Sequence, residues 1–184
     1  MTILSYDLKM LAADTLTTAG DIKVYNRSKL RIVKKHAIAS TGLENDGFRF
    51  DKWFFEQNGE PFITEDYLAV FVLSTSRLVY GVADVETDHK LSALAPVISH
   101  MSIGATEATA AANILMKVVK FNAHNAATEA ANYHTHCGSP VYSITKKQLE
   151  YIHVDFSGYW IGTYKTPLNK IEDYLITEKQ WLKT

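Results

Sequence analysis

The chain has 184 residues, 47% of them hydrophobic, which is enough to bury the core of one ordinary domain. A net charge of −1 offers no broad attraction to nucleic acid or an anionic membrane. The single cysteine, Cys137, excludes an internal disulfide and fits a reducing, cytoplasmic setting. No apolar run approaches the ~20 residues needed to span a bilayer, and no signal peptide is expected ahead of the first strand, so residues 1–184 read as one soluble domain.

Ile3–Asp7 and Met10–Ala13 read as two short strands joined tightly, and Asp14–Gly20 (DTLTTAG) is turn-rich. Leu30–Ala39 alternates as a further strand, with Leu30 and Ile32 on one face and Lys29 and Arg31 on the other. Gly42–Asp46 (GLEND) breaks it, and Phe48–Gln57 carries aromatics at helical spacing. Tyr67–Leu73 and Leu78–Val82 predict a β-hairpin around Ser74-Thr75-Ser76. Ala105–Phe121 predicts an alanine-rich amphipathic helix, and a second helix is expected over Asn125–His136. After Gly138-Ser139-Pro140, strands are expected near Val141–Ile144, Tyr151–Phe156 and Tyr159–Tyr164. Pro167 then opens a last helix through Trp181. This order is α+β. A four-layer αββα sandwich satisfies it, and so does an ordinary two-layer domain.

Chemistry enters at Thr2. Methionine before a small residue is usually trimmed, which would leave Thr2 with its hydroxyl and a free amine within reach of each other. That amine titrates near ~8, so a useful neutral fraction is available as a base. Such a nucleophile needs a cation to favour the alkoxide, an acid to hold that cation, and N–H donors for the oxyanion. Lys29 at a strand start, Asp14 at a strand end and Gly42 at a chain break are candidates. Each also has a plainer reading as a solvated strand terminus.

The succession Thr2, ADTLTTAG, NRSKLRIV and IASTGLEND resembles the N-terminal third of proteasome-type peptidases. These form the threonine-nucleophile branch of the N-terminal nucleophile (Ntn) hydrolases and include the HslV-type and Anbu proteins. Further along, Ser102-Ile103-Gly104 before the alanine-rich helix and CGSPV after the second helix are similar to later motifs of that family, in the same order. The resemblance implies a four-layer αββα fold with Thr2 as nucleophile, Asp14 and Lys29 as the supporting pair, and Gly42 as oxyanion donor. It also implies peptide or unfolded-protein substrates, no cofactor, and assembly into a homo-oligomeric ring or spiral. An ATP-dependent unfoldase is a partner such an assembly would admit. The chain departs from the pattern at accessory positions. The family's two accessory serines fall on Ala105, with Thr106 the nearest hydroxyl, and on Cys137. Its second aspartate falls on His134. Three functions therefore stay open: a threonine endopeptidase acting after Met1 removal, a catalytically silent relative acting in assembly or interaction, or an amidase that turns the same nucleophile on small amides.

Other patterns carry less. His134-Thr135-His136-Cys137 invites zinc, but residues i and i+2 on a helix do not share a face, and only His153 stands as an outlying ligand, so no metal site is expected. Nothing in the sequence activates the Cys137 thiol. The basic run Arg27–Lys35 reads as a solvated strand face, and Trp53, Phe54 and Phe55 as core or subunit contacts.

Overall fold

A computed structural model describes residues 2–19, 22–24, 29–56, 59–135, 137–151, 158–160 and 175–177. In chain order the first elements are β1 (Ile3–Tyr6), β2 (Met10–Asp14), β3 (Thr17–Ala19), β4 (Ile22–Val24), β5 (Leu30–Val33), β6 (His36–Gly42) and α1 (Glu44–Glu56). Then come β7 (Phe62–Ile63), β8 (Leu68–Leu73), β9 (Leu78–Ala83), β10 (Lys90–Leu91), β11 (Ala95–Pro96) and β12 (Met101–Gly104). The remainder is α2 (Thr106–Ile114) with a π-helical extension Leu115–Val119, α3 (Ala123–Ala130), β13 (Val141–Thr145), α4 (Lys146–Tyr151), β14 (Gly158–Trp160) and β15 (Leu175–Thr177).

Two antiparallel sheets dominate. One has the order β12-β1-β2-β13, the other β11-β9-β8-β6-β5-β14-β15. Alternate residues of β1 and β2 face opposite ways, and both faces are buried, which is why these strands are almost wholly apolar. Leu4, Tyr6, Leu11 and Ala13 share one core with Leu30, Ile32, Ala39, Phe71 and Leu73 of the longer sheet. Ile3, Met10 and Ala12 share a second with Ala108, Ala112 and Met116 of the α2 segment and Ala123 and Ala127 of α3. A third joins Ile38, Val70 and Val72 to Phe50 of α1 and Phe62. Small alanines let α2 and α3 lie close to the shorter sheet.

Asp7 ties the β1–β2 turn. Its carboxylate accepts the N–H groups of Lys9 and Met10 and also that of Ala123, where α3 begins. Lys120 ends the π-helical segment in the left-handed region, and Asn122 caps α3 by accepting the Asn125 N–H.

Three expectations are corrected. Leu30–Ala39 is two strands, because Lys34 and Lys35, both at positive φ (46° and 63°), form the two-residue turn that matches strand twist. Tyr151 closes a helix instead of opening a strand, and residues 152–157 lie outside the described set. Leu175–Thr177, expected inside the last helix, is a strand paired with β14; the rest of that helix lies outside the described residues. The second helix begins at Ala123 and ends in a 3-10 turn at Tyr133. Among the described residues no helix is long and apolar enough to cross a membrane, and no cluster of three or more His, Cys, Asp or Glu could hold a metal ion.

Candidate active site

Thr2 stands immediately before β1 and is 4% exposed. Its carbonyl accepts the Ala105 N–H at 2.9 Å, where β12 passes into α2. Gly104 allows that approach. Its φ is +135°, and a Cβ there would lie 1.8 Å from the Thr2 carbonyl oxygen.

Asp14, the last residue of β2, is fully buried and gathers the site around one carboxylate. Oδ1 accepts the N–H of Ile3, next to Thr2, at 3.1 Å and Nζ of Lys29 at 2.9 Å. Oδ2 accepts the Gly138 N–H at 3.0 Å. Lys29 also donates to the Leu16 carbonyl. Three separate stretches of chain, around residues 3, 29 and 138, thus meet on a single acid.

Burial pushes the Asp14 carboxyl above its ordinary value, and the Lys29 charge draws it only part of the way back. The folded chain therefore keeps this proton to higher pH than the unfolded chain. The stability tied to that proton is present below the ordinary carboxylate range and is lost as pH rises through the raised value. Asp14→Asn removes this contribution, so thermal melts from about pH 4 upward should decline less steeply in the variant than in the wild type.

Gly42 ends β6 with φ +122°, and a Cβ there would lie 1.9 Å from the Tyr67 carbonyl oxygen. It is exposed at the Lys29 end of the sheet, two residues beyond Ser40, whose N–H binds the Lys29 carbonyl at 3.2 Å.

No family model and no curated protein matches the chain. Solved structures do. The BPH of Thiobacillus denitrificans, a bacterial proteasome homologue, superposes with a TM-score of 0.58 at 18% identity, covering 79% of this chain and 97% of that one. Its complex with epoxomicin gives 0.58 at 17%, over the same shares. Anbu from Hyphomicrobium sp. strain MC1 gives 0.51 at 12% identity, covering 79% and 81%. The chain has the proteasome-like fold.

Within this proteasome-like fold the accessory positions are distinct. Ala105 is buried, donates its N–H to the Thr2 carbonyl and accepts the Thr109 N–H, while Thr106 is exposed at the start of α2. His134 pairs with Glu107, Nε2 to Oε2 at 3.6 Å, and its carbonyl accepts the Cys137 N–H. Cys137 is buried, and burial, with the Asp14 charge next, pushes its thiol up to about 12, so it carries no thiolate near neutral pH. His136 lies outside the described residues.

Sequence reasoning missed three contributors. Gly104 and Gly138 sit in stretches already singled out, but their roles depend on partners about a hundred residues away. Arg31 is the third. It is 3% exposed and forks onto Asp51 at 2.6 and 2.9 Å. The same guanidinium donates to the Ser40 hydroxyl (3.0 Å), the Gly47 carbonyl (3.3 Å) and the Lys29 carbonyl (3.4 Å), tying β5, β6 and α1 beside the site. An arginine on the polar face of a predicted strand was the available signal. Asp51→Ala leaves that cation buried and unpaired. Its denaturant midpoint should fall by the equivalent of about 3–5 kcal/mol with little change in slope.

Proposed function

We propose that the chain is a subunit of a proteasome-like threonine peptidase that hydrolyses peptide bonds through Thr2 once Met1 has been removed. The observation that carries this reading is the Asp14 carboxylate, which holds Lys29 and the amide next to Thr2 on the same oxygen. In the mechanism, the freed Thr2 amine takes the Oγ proton, directly or through water. Lys29 favours the alkoxide, Asp14 orients Lys29, and Oγ attacks the peptide carbonyl. The Gly42 N–H receives the developing oxyanion. The Thr2 ammonium passes the proton to the leaving nitrogen as the C–N bond breaks, and an acyl-enzyme forms. Water, deprotonated by the same amine, then releases the acid, and the proton returns to Oγ. Two sheets sharing one core, with helices packed on their other faces, support the αββα sandwich. The neighbours support a homo-oligomer, ring or spiral. A cytoplasmic location and delivery of unfolded substrate by an ATP-dependent partner complete the reading.

Intact mass is the first test. Loss of one methionine is expected, followed by turnover of a fluorogenic peptide and a stoichiometric mass adduct with epoxomicin, the compound held by the Thiobacillus protein. A functional protein that retains Met1 overturns the reading. The second reading is a silent relative acting in assembly. It is favoured by the loss of hydroxyls at Ala105 and Cys137, and it predicts no adduct in a correctly trimmed chain.

A further inference from the structure

The strand β9 has unlike features at its two ends. Beyond Ala83, residues Asp84–His89 form a projecting loop at the Gly42 end of the sheet, since Gly42 pairs with Leu68 and Leu68 with Ala83. The loop is rigid. The Thr87 N–H donates to Asp84 Oδ1, the Asp84 N–H to the Thr87 hydroxyl, and the His89 N–H to the Asp84 carbonyl. At its tip Val85 is 77% exposed, set among Asp84, Glu86 and Asp88; Lys90 pairs with Asp88. Asp66, held to His89 through its carbonyl, and Glu65 extend the acidic surface, with Arg49 offsetting Glu65 at 3.6 Å.

At the other end of β9, beside Leu78, lies a groove of about 680 Å³. Trp53, Phe54, Val72 and Val79 supply much of its apolar lining, and Arg77, His36, Glu60 and several serines supply its polar part. Arg77 has no ion-pair partner among the described residues. Lys34 and Lys35 lie on the adjoining turn, and Lys146 reaches the Ser76 carbonyl at 3.4 Å, so the neighbouring turns add positive charge. One apolar knob in an acidic setting and one groove of mixed lining in a basic setting thus lie at opposite ends of the same strand.

We infer that two copies of this chain associate head to tail, the Val85 knob of one seating in the Trp53–Arg77 groove of the next. The complementarity is double: Val85 meets the apolar part of the lining, while Glu86 and Asp88 meet Arg77 and the lysine turns. A knob already braced by its own hydrogen bonds loses little freedom on docking. Because donor and acceptor surfaces differ, the contact repeats in one direction and yields a ring where the rotation closes and a filament where it does not. This rests on the reading that the chain self-associates. It places the acidic loop, and so the join between copies, at the Gly42 end of the sheet.

The test uses the full chain in analytical ultracentrifugation, with two exposed substitutions, Val85→Lys and Arg77→Glu. Wild type should sediment as oligomers that dissociate as salt shortens the reach of the charges. Each variant alone should be monomeric, with the far-UV circular dichroism spectrum of the wild type. Mixed together, the variants retain one intact groove and one intact knob between them, so the mixture should form dimers and nothing larger. Variants that keep wild-type sedimentation place the interface elsewhere and overturn the proposal. A wild type that stays monomeric at every concentration and salt overturns self-association itself, while leaving the Thr2 chemistry to be judged by turnover alone.

Discussion

A Thr2→Ala chain should fold as the wild type does and lose peptide turnover by about 10⁴-fold or more, the scale seen when a covalent nucleophile is deleted. The contacts that place residue 2 are main-chain ones. Its carbonyl receives the Ala105 N–H, and the following amide is held by Asp14, so alanine keeps the position and removes Oγ together with the γ-methyl. Alanine is also small enough for Met1 to be trimmed, which leaves the free amine in place. Stability should move by no more than about 1 kcal/mol, checked by denaturant unfolding. Thr2→Ser keeps the nucleophile and should retain turnover. Equal rates for wild type and Thr2→Ala on the same fluorogenic peptide would exclude Thr2.

Gly104→Ala should be the more damaging change to the fold. The new methyl would collide with the Thr2 carbonyl oxygen at 1.8 Å, against backbone that has no side chain to swing away, and at a φ of +135° that alanine rarely adopts. Relief requires β12 to part from β1, which breaks the Ala105–Thr2 hydrogen bond as well. The expected cost is more than about 3 kcal/mol, read as a lower denaturant midpoint, with turnover falling in the fraction that remains folded. Wild-type stability in this variant would mean that β1 and β12 do not meet as described.

The strand-end positions of Thr2, Asp14 and Lys29 were legible, whereas their grouping as a candidate site came from the resemblance to proteasome-type peptidases. Apolar alternation places strand ends well. The β8–β9 hairpin and the alanine-rich helix were legible for the same reason, as Ser74–Ser76 and the run of alanines speak for themselves. The turn at Lys34-Lys35 was hidden, because lysine gives no signal for positive φ and the strand pattern runs straight through it. The Leu175–Thr177 strand was hidden by Pro167, a good helix opener whose influence was extended too far. Gly104, Gly138 and Arg31 could not be read at all. A close backbone approach or a shared guanidinium is a property of two distant segments, and no window along one of them contains it.

The Asp14 carboxylate also sets an order of events in time. Its ligands come from residues 3, 29 and 138, so the acid is fully engaged only after three quarters of the chain exists and β13 has paired with β2 along Val141–Thr145. Until β13 is in place, Thr2 and Lys29 therefore flank an acid that still lacks its last partner, so completion of this cluster is a late step in folding, closed by residues more than a hundred positions from Asp14.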